Sequence, residues 1–380
     1  MLYLDAAATT PVRREALEAA WPYLTGSFGN PSSRHTVGEV AARALADARA
    51  TLARLLGCRA SEVVFTSGGT ESDNLAIKGI ALGDPRGRHI VTTKTEHEAV
   101  LESFDYLHRL HDFDVSFVAV DAAGTVTADA LAAALRPDTT LVSIAYANNE
   151  IGSVQPIPEL AHVAHEHGVR FHTDAVQAAG SLPLDARALD VDALSIAGHK
   201  VGAPRGIGAL YVRGGTPIEP LVHGGGQERG RRSGTENVAG AVALATALRL
   251  AEAERVAGTQ DAVSGRDAFV TRVLEAVPGA LLTGDASTRL PRHASFVFPG
   301  TSGEAVLLEL ERRGVLVSSG SACAAGDDGP SHVLTAIGIG AAVAQTAVRF
   351  SWGATVDAGE LLAAADSLRD AVATVSGIVR

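Results

Sequence analysis

The residue types that suggest a reaction are a lysine and an aspartate, each placed just past an apolar run. In VRFHTDAVQAAG the run ends at Thr173, and Asp174 stands where a strand gives way to a turn. DALSIAGHKVGAPRGIGALYV repeats the arrangement: an apolar run, then Gly198, His199 and Lys200, then a loop rich in Gly and Pro. Surface lysines ordinarily sit on helix faces. A lysine held at a strand end in apolar surroundings loses its proton more readily and becomes a nucleophile toward carbonyl carbon, so Lys200 suits a Schiff-base role. Taken singly, the plainer reading of each residue is a surface lysine and a capping aspartate; their shared context favours the chemical one.

A Schiff-base lysine with a carboxylate for a ring nitrogen is the pairing that pyridoxal phosphate needs, because its protonated ring draws electrons from a carbanion at the substrate Cα. Asp174 would supply that anion. The phosphate needs a cradle, and EVVFTSGGTESDNLA offers one: a strand, then Ser67, Gly68, Gly69 and Thr70 opening a helix whose free N–H groups attract anions. The segment matches neither the dinucleotide G-x-G-x-x-G nor the P-loop, and a plain strand-to-helix turn would look similar. HIVTTKTEHEAV places His97 at a helix start, where its ring can stack on an aromatic cofactor, and TLVSIAYANNE adds Asn148 after another strand.

The elements that must position these residues follow from periodicity. From about Glu15 to Val212, short β-rich runs alternate with helical stretches such as ESDNLAIKGIAL and PIPELAHVAHEHG. This is the βαβ rhythm of an α/β fold with a mainly parallel, seven-stranded sheet, and such sheets bind ligands at the carboxyl ends of their strands. After Val238 an Ala-rich helical stretch runs to about Val256, and a different texture follows: an amphipathic helix, ASFVFPG, GEAVLLELERRG, GVLVSSGSA, HVLTAIG, AVRFSWG and a closing helix. A boundary near Ala257 is expected, with residues 14–257 as a large cofactor-binding domain and residues 1–13 with 258–380 as a small α/β domain.

Bulk properties narrow the function. A chain of 380 residues with 46% hydrophobic and 20% charged residues is neither disordered nor fibrous. Its formal charge of -11 repels phosphate backbones, so nucleic acid is not expected as a direct partner. The first residues, MLYLDAAATTPVRR, lack a basic start followed by an apolar stretch, and nowhere do eighteen apolar residues run together, so no membrane association and a cytoplasmic location are expected. His162, His165, His167 and His172 crowd one segment, but no Cys or carboxylate completes a zinc set, and metal is not predicted. The two cysteines cannot form a disulfide framework. Cys58 reads as a small, half-buried filler without chemistry. Cys323 lies among small residues in VLVSSGSACAAGDDGPSHVL, which suit a mobile, accessible arm; a free thiol has a pKa of about 8.5, so attack as thiolate needs help from nearby cations or substrate.

Together these segments resemble the iron–sulfur-cluster type of cysteine desulfurase, within the class V aminotransferase group of fold-type I pyridoxal-phosphate enzymes. YLDAAATTP, GNPSSRH, TSGGTESDN, TEHEAV, NNEIG, HTDAVQ, GHKVGAPRGIGALY, GGGQERGRRSGTEN, SSGSAC and VRFSWG occur in the family's order along nearly the whole chain. The resemblance implies that Lys200 holds the cofactor, Asp174 pairs with the ring nitrogen, Gln177 bonds the ring oxygen, His97 stacks on the ring and Asn148 steadies the same face. It implies that Gly69, Thr70 and His199 bind the phosphate, joined by Thr235 from the partner subunit of a homodimer. Arg349, with Asn30 of GNPSSRH, would bind the substrate, L-cysteine, and Cys323 would take its sulfur as a persulfide for a sulfur-acceptor protein, leaving alanine. Similar enzymes serve iron–sulfur assembly, tRNA thiolation, DNA phosphorothioation and cofactor synthesis. The chain ends at Arg380, where housekeeping relatives continue into a tail that docks a cluster scaffold, which argues against a scaffold partner. Family members usually carry Ser where this chain has Ala197, so Ser195 or water is expected to replace that phosphate contact. Rival readings are another pyridoxal-phosphate reaction, such as transamination or selenocysteine lysis, and a non-catalytic sulfur carrier.

Overall fold

A computed structural model describes residues 1–319 and 329–378. The central sheet has seven strands, β2 (Val63–Thr66), β3 (His89–Thr93), β4 (Asp114–Val118), β5 (Thr139–Ser143), β6 (Arg170–Asp174), β7 (Ala193–Ala197) and β8 (Gly208–Val212), in the order β2-β8-β7-β6-β5-β3-β4. The pairs from β4 through to β7 are parallel, and β8 runs antiparallel to both β2 and β7. Every residue of β2, β3, β5, β7 and β8 is buried. Such continuous runs, rather than alternation, are what a sheet covered on both faces requires. β6 is buried but for the half-buried Arg170 at its start, and β4, at the edge, is the most exposed of the seven and begins with the charged Asp114.

Helices α1 (Arg14–Leu24), α2 (Thr36–Leu55), α3 (Gly69–Gly83), α4 (Glu98–His111), α5 (Ala128–Ala134) and α6 (Ile157–Glu166) supply the cover. One apolar cluster joins β2, β5, β6 and β7 to α1, α2 and α6, and a second packs α3 and α4 against the sheet through Leu75, Ile80, Val100 and Phe104.

Helix α7 spans Val238–Ala276, 39 residues without interruption. The sequence pattern suggests two helices here because its apolar face changes: Ala241 to Ala251 belong to the sheet's core, whereas Phe269 and Val273 belong to another. Gly258 and Gly265 lie between these halves, and each glycine costs a helix only about 1 kcal/mol, so the chain continues through both.

The second core surrounds a three-stranded sheet of β9 (Leu281–Leu282), β10 (His293–Val297) and β12 (Val348–Ser351), ordered β12-β10-β9. Helices α8 (Gly303–Arg312) and α11 (Ala358–Ile378) pack on it, and the short helices α9 (His332–Ala336) and α10 (Ala341–Ala344) precede β12. Phe269 sits edge-on to Phe350 and Phe296, with ring centroids 5.2 and 6.1 Å away. Such pairs add about 0.5–1.5 kcal/mol each beyond the area they bury. The N-terminus joins this part of the fold: β1 (Leu2–Tyr3) pairs in parallel with β11 (Val315–Leu316).

Candidate active site

Five segments leave the carboxyl ends of the parallel strands together. The turn after β2 opens α3 at Gly69, with no side chain capping its first turn. A Cβ added to Gly69 would lie 2.8 Å from Val176 Cγ2 and 3.3 Å from Ala197 Cβ, and one added to Gly208 would lie 2.7 Å from the Gly68 backbone. The glycines therefore let this turn lie directly against the ends of β6 and β7, and Thr70 is exposed at its rim.

Asp174 ends β6, 8% exposed, and its Oδ1 accepts from the Val176 N–H at 2.8 Å. Burial raises its proton affinity, while the nearby His97 and Lys200 lower it. Two further buried acids, absent from the sequence-based site, stand with it. Asp73 in α3 is 1% exposed, has an Oδ1 without a hydrogen-bond partner, and is driven well above the usual carboxylate range by burial and by the charge of Asp174. Glu96, before His97, is pushed up to about 8 by burial, although the Ala145 N–H and the Thr93 hydroxyl donate to it. Their only sequence signal was a place inside the motifs that hold Thr70 and His97.

Lys200 follows β7. Its Nζ donates to the carbonyls of Ala7 and, at 2.9 Å, Ala8. Gln177 Nε2 donates to the same Ala7 carbonyl at 3.1 Å. The N-terminal segment that carries these carbonyls is fixed along its length: Ala7 N donates to Ser351 Oγ at 2.8 Å, and Thr10 Oγ1 donates to the His199 carbonyl at 2.8 Å. Burial, then the charges of Lys200 and Arg205, push His199 down to about 4. His97 caps α4, its Nδ1 accepting from the Ala99 N–H at 3.0 Å. A cleft of about 320 Å³ meets the lysine, lined by Ala7, Gln177, Lys200, Arg292, His293 and Trp352 among others; Thr70, His97 and Asp174 lie outside its lining.

Arg349 of β12 is 1% exposed. Its Nη2 pairs with Asp5 Oδ1 at 2.7 Å, its Nη1 donates to the Asn149 carbonyl at 3.1 Å, and its Nε has no hydrogen-bond partner. Asn148 is committed to its own loop: its Nδ2 donates to the Thr95 carbonyl at 2.8 Å and its Oδ1 accepts from Glu150 N and Ile151 N.

Two expected residues stand elsewhere in this chain, and a third is not among the described residues. Asn30 is exposed before α2, its side-chain oxygen accepting from Ser32 N at 2.9 Å. Thr235 is exposed, three residues after Arg232, whose guanidinium meets Glu71 of α3 at 2.8 Å. Cys323 lies outside the described residues. Of the two expected replacements for the missing serine at Ala197, the Ser195 hydroxyl is engaged elsewhere: it is fully buried and bonds His172 Nε2 at 3.0 Å, two residues along β7 from Ala197, a strand repeat of about 6.6 Å.

The other singled-out groups are accounted for. His165 bridges Asp190 and Asp192, at 3.2 and 2.9 Å, and His172 sits between Ser143 and Ser195. Among the described residues no group of three or more His, Cys, Asp or Glu could hold a metal ion. Burial pushes the half-buried Cys58 thiol up to about 12, where it is a poor nucleophile.

This donor set fits pyridoxal phosphate: an open helix start lying on glycines for the phosphate, buried acids for a ring cation, and a lysine at the end of the adjacent strand. The chain belongs to the aminotransferase class-V family, whose pattern matches residues 2–363. Within that pyridoxal-phosphate family it groups with the cysteine desulfurases. It is 46% identical over 353 residues to the cysteine desulfurase IscS of Dictyoglomus turgidum, covering 93% of this chain and 89% of that one. It is 44% identical to the putative cysteine desulfurase IscS 1 of Bacillus subtilis, over 98% of both chains. Among solved structures a NifS-like protein superposes with a TM-score of 0.91 at 35% identity, covering 98% of this chain and 99% of that one. SspA in complex with cysteine gives 0.82 at 38% identity, over 92% and 98%. No helix among the described residues is long and apolar enough to cross a membrane.

Proposed function

We propose that this protein is a homodimeric, cytoplasmic cysteine desulfurase that converts L-cysteine to L-alanine and passes the sulfur, held on Cys323, to an acceptor protein. The observation that carries this reading is the placement of Lys200 and the buried Asp174 near one another at the ends of adjacent strands, in a chain whose relatives are cysteine desulfurases.

In this reading Gly69, Thr70 and His199 would hold the phosphate, His97 would cover one ring face, Gln177 would bond the ring oxygen and Asn148 would brace the neighbouring loop. When bound, the cofactor would supply an electron sink for the pair released at the substrate Cα. Asp174 would hold the ring nitrogen and favour that role. Arg349 and Asn30 receive the substrate, Arg349 through a two-pronged carboxylate contact. Lys200 Nζ removes the Cα proton and His97 returns a proton. The Cys323 thiolate then bonds to the substrate sulfur as the substrate's C–S bond breaks; the bonding pair stays on carbon, which gains a proton, so cysteine and a thiol give alanine and a persulfide.

The homodimer, with Thr235 reaching the partner's phosphate, is supported by exposed apolar side chains around α1 and α2: Trp21 is 61% exposed and Phe28 73%, with Leu17, Leu24 and Val37 nearby in the chain. We also propose residues 14–257 as the cofactor-binding domain and the remainder as the small one, joined through α7. Mass spectrometry of the purified holoprotein after exposure to L-cysteine tests the function. Cys323 should gain a single sulfur atom while alanine appears, and Lys200→Ala should abolish both along with the visible absorbance of bound cofactor. Alanine formed at full rate by Cys323→Ala, or no sulfur on a cofactor-loaded wild type, would defeat it.

A further inference from the structure

We propose that Glu150 is a positioning residue that ties the helix following the Cys323 segment to the loop that braces Arg349. The inference rests on the desulfurase reading and adds to it a residue that touches neither substrate nor cofactor.

The loop at residues 148–152 is a hub. It closes on itself through Asn148 Oδ1, which accepts from the Glu150 and Ile151 N–H groups at 2.8 and 2.9 Å. Three basic side chains hold its carbonyls: Arg349 Nη1 and His293 Nε2 donate to Asn149 O, both at 3.1 Å, and Arg289 Nη2 donates to Ile151 O at 2.7 Å. The substrate-binding arginine is thus aimed partly by this loop.

The same loop holds α9. Glu150, 5% exposed, accepts through Oε2 from the hydroxyl of Ser331, also 5% exposed, and that hydroxyl caps α9 by accepting from the Leu334 N–H at 3.1 Å. Ile151 packs with Val333, Leu334 and Ile337. His332 Nε2 donates to the Glu96 carbonyl at 2.9 Å, one residue before His97. Upstream of Cys323, Ser318 exchanges backbone hydrogen bonds with Arg349, at 2.7 and 3.2 Å. The described residues on both sides of Cys323 are therefore referenced to Arg349 or to the loop that steadies it. Where the substrate's carboxylate sits and where the nucleophile's tether begins become one adjustment, with Glu150 its polar link to α9.

The test uses the holoenzyme and its variants Glu150→Ala, Glu150→Gln and Ser331→Ala. Single-turnover persulfide formation on Cys323 is followed by mass spectrometry, and cofactor absorbance and its half-saturation by L-cysteine are read in parallel. Losing one buried hydrogen bond to a carboxylate should slow persulfide formation about ten- to a hundredfold in Glu150→Ala. Cofactor absorbance and half-saturation should stay within about twofold of wild type, since no group touching substrate has changed. Glu150→Gln keeps an oxygen that accepts from Ser331 and should recover most of the rate. A wild-type rate in Glu150→Ala overturns the proposal, as does loss of cofactor binding together with rate, or Glu150→Gln as slow as Glu150→Ala. A wild type that binds cofactor and forms no persulfide refutes the desulfurase reading itself, before any variant is compared.

Discussion

Arg349 and Asp5 meet at 2.7 Å across 344 positions of sequence, joining β12 to the N-terminal segment at the point where the substrate carboxylate is proposed to bind. The guanidinium is 1% exposed, so it is aimed before any ligand arrives, and it is costly to leave without its counter-charge.

Asp5→Ala should therefore destabilise the protein by about 3 kcal/mol, the low end for a broken buried pair because Asp5 retains some solvent contact. Denaturant midpoints of variant and wild type measure this. An unchanged midpoint would mean that the Asn149 carbonyl alone suffices to hold the arginine.

Ala197→Ser should tighten cofactor binding, by up to about tenfold, because a hydroxyl there would stand beside the phosphate turn and supply a hydrogen bond worth about 1 kcal/mol. Gly69→Ala should weaken binding, since its new Cβ would lie 2.8 Å from Val176 Cγ2 and push the turn outward. Titrating cofactor into the apoprotein reads both. Equal affinities for all three proteins would remove the phosphate from this turn.

Glu96 makes stability depend on pH in a definite direction. Its value rises on folding from the ordinary 4.5 to about 8, so the folded chain holds a proton that the unfolded chain releases. That contribution is complete below 4.5 and is lost as pH rises through 8, at no more than about 1.4 kcal/mol per pH unit crossed. Asp73 and Asp174 act in the same sense. Glu96→Gln should flatten the fall in Tm between about pH 5 and pH 8.5 relative to wild type; parallel curves would place the ionisation elsewhere.

The parts of the site legible in the sequence are those written next to a strand end. Asp174, Lys200, His97 and the Gly68–Gly69 turn each follow a buried apolar run, and strand ends in a parallel sheet converge. Contacts between distant segments were not legible. Nothing in YLDAAATTP says that its carbonyls will accept from Lys200 and Gln177, and Glu150 and Ser331 look like ordinary loop residues until both are buried. Asp73 and Glu96 carry no such mark, because an acid in a helix or turn is normally solvated, and only the sheet and its covering helices deprive these two of water. The two halves of α7 look like separate helices for a related reason: an apolar face that shifts along a helix resembles a break when the two cores it serves are unknown.

The first ten residues leave a vulnerability. Leu2 and Tyr3 are zipped to Val315 and Leu316, Asp5 to Arg349, Ala7 and Ala8 to Lys200, and Thr10 to the His199 carbonyl. Clipping this leader by a protease would silence the enzyme while the seven-stranded sheet stayed intact, so a recombinant preparation can look well folded by circular dichroism and still be dead.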